Sequence, residues 1–125
     1  MTGALHDIGG AQVLVCAPDG SAIARVSDAL DLVGEAFACG AEWVALPAAR
    51  LDPAFFDLKT GLAGEITQKF VNYQVRLAIV GDIGAFVRAS KPLADYVRES
   101  NRTRRHIVFA DDMDAFAHLL STQRA

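Results

Sequence analysis

Three strands built on apolar runs limit this chain more than any other feature: Trp43 to Leu46, Arg76 to Val80 and His106 to Ala110. None alternates with polar residues, as a strand with one wet face would. Runs of this kind are strands buried on both faces, which implies a parallel sheet with helices packed on either side. The chain between successive runs carries helical patterns, as parallel crossovers require.

Taken in order, Ala4 to Ile8 and Gln12 to Ala17 read as two strands joined at Gly9-Gly10, an antiparallel hairpin. Pro18-Asp19-Gly20 is a turn. Ser27 reads as an N-cap with Asp28 in the first turn, opening a helix that turns Leu30, Val33 and Phe37 inward. Gly40 ends it. Asp52-Pro53 pairs a cap with a first-turn proline. The turn from Asp57 to Gly61 opens a helix running to about Asn72, with Leu58, Leu62, Ile66 and Phe70 on one face. Gly61 and Gly64 each cost that helix about 1 kcal/mol against Ala, so they imply close packing or a start that must stay sterically open.

From Asp82 to Ala89 the pattern indicates a loop or short turn. Ser90-Lys91-Pro92 caps a helix carrying Leu93, Tyr96 and Val97 inward and ending near Asn101. The last helix starts at Asp111 to Asp114 and buries Met113, Phe116, Leu119 and Leu120. The tail from Ser121 to Ala125 is expected to fray. The fold class is α/β: one domain over residues 1–125, a mixed sheet of about five strands, in the order β-β-α-β-α-β-α-β-α.

Composition narrows the function. The chain has 125 residues, 52% of them hydrophobic and 22% charged, which suits a compact core and excludes a disordered chain. A net charge of −3 argues against general nucleic-acid binding. No apolar run approaches the roughly 20 residues that span a bilayer. The first ten residues lack the basic and apolar regions of a signal peptide, so a cytoplasmic location is expected. Cys16 and Cys39 lack CxxC spacing and read as reduced, buried thiols. His6, His106 and His118 show no metal-ligand spacing, and there is no GxSxG elbow, no P-loop and no dinucleotide fingerprint. No cofactor is implied, and the balance leans away from an enzyme.

Three regions are candidates for function. At the helix start, Asp57, Lys59, Thr60, Gly61, Gly64 and Glu65 surround unpaired backbone donors that would stabilise an anion or a phosphate on Thr60; the plain alternative is an ordinary cap. Asp82 follows a buried strand, at the sheet end where α/β proteins bind ligands, so Asp57, Glu65 and Asp82 are candidates for a shared small-molecule or anion pocket; against this stands simple turn chemistry at Gly81-Asp82. Arg98, Arg102, Arg104 and Arg105 form a basic patch suited to a phosphate or an acidic partner, or to complementing a helix C-terminus. A homodimer is expected on the ground that an apolar hairpin edge is commonly covered by pairing.

The element order and the residues around Thr60 resemble the STAS domain, the anti-sigma-factor antagonist fold. In that family a buried strand leads to a segment of the form F-x-D-S-S-G-L-G that starts a helix. The phosphorylatable Ser or Thr stands directly before Gly-Leu. Here the strand Trp43 to Leu46 is followed by Phe56-Asp57-Leu58-Lys59-Thr60-Gly61-Leu62. Thr60 falls at the phosphoacceptor position, Gly61-Leu62 on the Gly-Leu pair and Gly64 near the next glycine, while Lys59 stands where the first serine would be. The resemblance implies a non-enzymatic regulatory module that binds a protein partner. Over the whole chain, the stretch from Phe55 to Asp82 and the Glu99-Ser100-Asn101-Arg102 run are also similar to the bacterial domain-of-unknown-function family 4180, which implies no activity.

Overall fold

The computed structural model describes residues 3–123. Strands β1 (Gly3–Ile8) and β2 (Ala11–Cys16) form the expected antiparallel hairpin, and β3 (Trp43–Pro47), β4 (Arg76–Val80) and β5 (Ile107–Ala110) follow in parallel. The sheet order is β1-β2-β3-β4-β5, so each crossover moves to the neighbouring position. Helices α1 (Val26–Cys39), α2 (Leu62–Asn72), α3 (Gly84–Ala89), α4 (Lys91–Thr103) and α5 (Met113–Gln123) fill the connections. None of them is long and apolar enough to cross a membrane.

Because strand side chains alternate, the unbroken apolar runs feed two cores. Val44, Leu46, Leu77, Ile79 and Phe109 meet α1, α2 and α4 on one face. Trp43, Ala45, Ala78 and Val108 meet Phe116 and Leu120 of α5 on the other. Small residues at Ala45 and Ala78 make room for the large Trp43 and Phe116 rings, which meet edge to face at 5.3 Å. Phe116 is fully buried, so truncating it to Ala would cost about 3–5 kcal/mol.

Several expectations need correction. In α1, Leu30 and Phe37 lie on the surface, with Phe37 68% exposed. The buried face is Ala29, Leu32, Val33 and Ala36. Two alanines on that face let the helix approach closely, whereas the larger Phe37 turns out and meets Tyr73 at the end of α2. Ser27 lies inside α1 and does not cap it. Instead the Asp28 carboxylate reaches back to accept from the N–H groups of Ala24 and Arg25, both at 3.0 Å. These bonds, with Ala24 the larger effect, hold the Asp28 carboxyl below the usual carboxylate range.

The expected loop from Asp82 to Ala89 contains α3, a helix of one and a half turns closed by the Ser90 cap of α4. The expected fraying of residues 121–125 is partly wrong, because 121–123 continue α5; residues 124–125 lie outside the described residues.

Candidate functional site

The chain leaves β3 and takes a stepped path before α2 begins. Ile23 bridges Leu51, with its N–H on the Arg50 carbonyl (2.7 Å) and its carbonyl taking the Asp52 N–H (3.0 Å). The Asp52 carboxylate then caps a 3-10 turn, Pro53–Phe56, by accepting from Ala54 N at 2.9 Å. This turn seats Phe55 and Phe56 in the core. Phe56 stacks on Phe86 of α3 with centroids 4.5 Å apart.

A second 3-10 turn, Leu58–Thr60, comes next, and here the sequence expectation shifts. Asp57 caps this turn, accepting from Lys59 N at 3.2 Å, and does not cap α2. Gly61 separates the turn from the helix at φ +77°, a left-handed conformation that disfavours any side chain. The helix has no side-chain cap at Gly61. Its first-turn donors are met partly from within: Leu62 N donates to Thr60 Oγ1 (3.2 Å) and Glu65 N to the Gly61 carbonyl (3.0 Å).

Thr60 joins these pieces. Its hydroxyl lies 2.7 Å from the Ala54 carbonyl and 2.9 Å from the Asp57 carbonyl, and it carries one hydrogen to donate between them. It also accepts from the start of α2. One exposed hydroxyl therefore ties both 3-10 turns to the helix. Gly64 lies one turn further on, exposed, and nothing stands within 4 Å of where a Cβ would be. Of the two readings of these glycines, Gly64 fits the open helix start, not close packing.

Beside Thr60 runs an open groove of about 750 Å³. Pro53, Ala54, Phe56, Asp57, Lys59 and Thr60 form one wall, and Ala85, Phe86, Ala89 and Ser90 the other. Phe86 is 39% exposed, a large apolar side chain at the groove.

None of three hollows, this groove and the two lined by Asp82, is lined by all three carboxylates. Asp57 lines this groove. Asp82 lines separate depressions at the ends of β4 and β5, where its Oδ1 accepts from Gly84 N at 2.8 Å. Glu65 lines none of these three hollows. Among the described residues, no group of three or more His, Cys, Asp or Glu is placed to hold a metal ion.

The basic run is largely spent on local structure. Arg98 pairs with Asp95 (3.0 Å), which Lys91 also contacts, and Arg102 binds Glu99 through two nitrogens. Hydrogen bonds from Lys91 and then Arg98 lower the Asp95 carboxyl, and Arg102 lowers that of Glu99. Arg104 takes the left-handed C-cap of α4 at φ 53° and donates to the Asn101 and Leu119 carbonyls and to Thr122 Oγ1, tying α4 to α5. Arg105 is exposed.

Two residues that shape the surroundings carried no signal in the sequence. Arg50 is 3% exposed, and its guanidinium donates to the Ser21 and Ala17 carbonyls, pinning the Pro18–Gly20 turn. Gly20 leaves room for this guanidinium: a Cβ there would lie 2.5 Å from Arg50 Cζ and would have to displace it. Asn101, expected only to end α4, places its side-chain amide against the backbone of Phe109 in β5, donating to its carbonyl (3.1 Å) and accepting from its N–H (2.7 Å).

Residues 8–119 match the family described as Domain of unknown function (DUF4180). The chain belongs to that family. The matched span includes both walls of the groove, Asp82 and all four arginines of the expected basic patch. No curated protein and no solved structure matches the chain.

Proposed function

We propose that this member of the family is a non-enzymatic regulatory module acting through protein–protein contact, with the Thr60 turn and the adjoining groove as its working surface. The observation that carries the reading is the Thr60 hydroxyl: exposed, at the groove wall, and the hydrogen-bonded junction of two turns and a helix. The likeness of Phe56 to Leu62 to the STAS phosphoacceptor segment supports it. Phe86 supplies the exposed apolar anchor that partner binding commonly uses.

A phosphate on Thr60 is the proposed switch. It would remove the hydrogen now donated to Ala54 or Asp57 and add about −2 charge beside their carbonyl oxygens. Anion and carbonyl dipoles repel, so the turn must open. Ala54 and Asp57 both line the groove, so its wall changes shape with the modification. Lys59 is the nearest cation in the sequence to compensate. The proposal sets the module in a bacterial cytoplasm, where free thiols such as Cys16 and Cys39 persist.

The test compares proteins captured from native lysate by the wild type, Thr60→Glu and Phe86→Asp, with phosphate mapped by mass spectrometry. The reading expects a stoichiometric partner of the wild type that both variants lose while retaining the wild-type circular dichroism. Identical partner sets for all three proteins would contradict it.

A further inference from the structure

The two edges of the sheet are treated differently. At β5 the outward N–H and C=O of Phe109 are both met by the amide of Asn101, which stands in for a further strand. At β1 nothing comparable is present among the described residues, and Ala4, Leu5, His6 and Asp7 are all exposed. From Gly3 to Ile8 there is no proline, no lysine and no bulge, and pairing with β2 is unbroken from Gly3↔Cys16 to Ile8↔Ala11. Those are the devices that usually protect an edge.

We propose that this edge is filled by a second copy of the chain, β1 against β1, antiparallel about a two-fold axis at Leu5. The register follows from which backbone groups point outward. Gln12 N donates to the Glu42 carboxylate (3.0 Å), and its carbonyl accepts from Glu42 N (2.8 Å), so its backbone faces β3. Its hairpin partner Asp7 is therefore a wide pair, with N–H and C=O turned away from β2. Alternation turns Leu5 and Gly3 the same way.

With Leu5 opposite Leu5 of the second copy, Gly3 falls opposite Asp7, and every outward donor and acceptor of the strand finds a partner. A shift placing His6 opposite His6 leaves Gly3 unpaired. A further shift sets Asp7 against Asp7, a like-charge contact. The favoured register also brings together two Leu5 side chains, each 42% exposed, on the Leu14 face of a sheet continuous through the dimer. The strand is thus self-complementary in this register, as a two-fold interface requires.

Sedimentation equilibrium on the full chain and on Leu5→Lys tests the association. The wild type should have twice the mass of the chain and Leu5→Lys the mass of one, with matching circular dichroism, since Leu5 is an exposed edge residue; only the wild type's melting temperature should rise with concentration. Register is tested in a Cys39→Ser background by mild oxidation of Leu5→Cys and His6→Cys. Leu5→Cys should form a disulfide-linked dimer and His6→Cys should not, because paired Leu5 positions fall within disulfide reach. A wild type that stays monomeric at all concentrations overturns the proposal and leaves the edge to a strand from another protein. A dimer that survives Leu5→Lys, or one that cross-links through His6→Cys alone, overturns it equally.

Discussion

The Thr60 hydroxyl sits 2.7 Å from the carbonyl oxygen of Ala54, six residues earlier, and this one contact closes the two 3-10 turns onto each other. Removing it tests how far a single exposed side chain organises the segment. Thr60→Val keeps the shape but loses the donor and the acceptor for Leu62 N. The expected cost is about 1 kcal/mol, the usual worth of such a bond, read as a shift in the urea midpoint. Thr60→Ser should recover most of it.

The two glycines beside Thr60 should respond oppositely to the same change. Gly61→Ala forces a Cβ into a left-handed conformation and should destabilise by about 1–2 kcal/mol. Gly64→Ala meets open space inside a helix and should stabilise by up to about 1 kcal/mol. Thermal denaturation of both variants separates them by sign. If Gly64→Ala is also stable but loses a captured partner, the open helix start serves binding.

Much of this architecture is legible in the residues. The unbroken runs at Trp43, Leu77 and Ile107 gave buried parallel strands because no polar residue interrupts them, and Gly9-Gly10 and Asp52-Pro53 marked their turn and cap by local chemistry. What stayed hidden depends on tertiary contact. Arg50 reads as one more surface cation until the Pro18–Gly20 turn folds over it. The segment of α3, from Gly84 to Ala89, is too short for a helical period. Leu30 and Phe37 satisfy an amphipathic pattern that Ala29 and Ala36 satisfy more closely packed. At the site, the residues of the Thr60 turn were visible, but the stacking of Phe56 on Phe86 that forms the groove beside it was not, since it joins segments separated by a helix and a strand.

Asn101 offers a sharper test of hidden structure. Asn101→Ala leaves the Phe109 N–H and C=O without their partner at a strand edge, at a cost of about 1–3 kcal/mol. Amide exchange at Phe109 should accelerate in the variant more than exchange at Ile79, which lies inside the sheet.

Asp28 and Cys16 contribute pH responses at opposite ends of the scale. The Asp28 carboxyl is lowered by the Ala24 and then the Arg25 N–H bonds, so it stabilises the fold above the ordinary carboxylate range, and that contribution disappears as pH falls through its depressed value. Asp28→Ala should cost about 1 kcal/mol at neutral pH, and its difference from wild type should shrink in acid. Burial pushes the Cys16 thiol from its ordinary 9.0 up to about 11, with Glu35 adding to the rise and Arg50 opposing it. The unfolded thiol ionises first, so stability should fall as pH rises from about 9 to about 11, and Cys16→Ala should reduce that slope. Denaturation midpoints across both pH ranges check the two signs.

The most direct test of the Thr60 surface is the affinity of a partner captured by the wild type, measured by calorimetry against wild type, Thr60→Glu and Phe86→Asp. A protein-interaction surface at this groove requires both variants to weaken binding at least tenfold, about 1.4 kcal/mol, with folds intact. Unchanged affinity in both would place the contact elsewhere on the molecule and contradict the assignment of this surface.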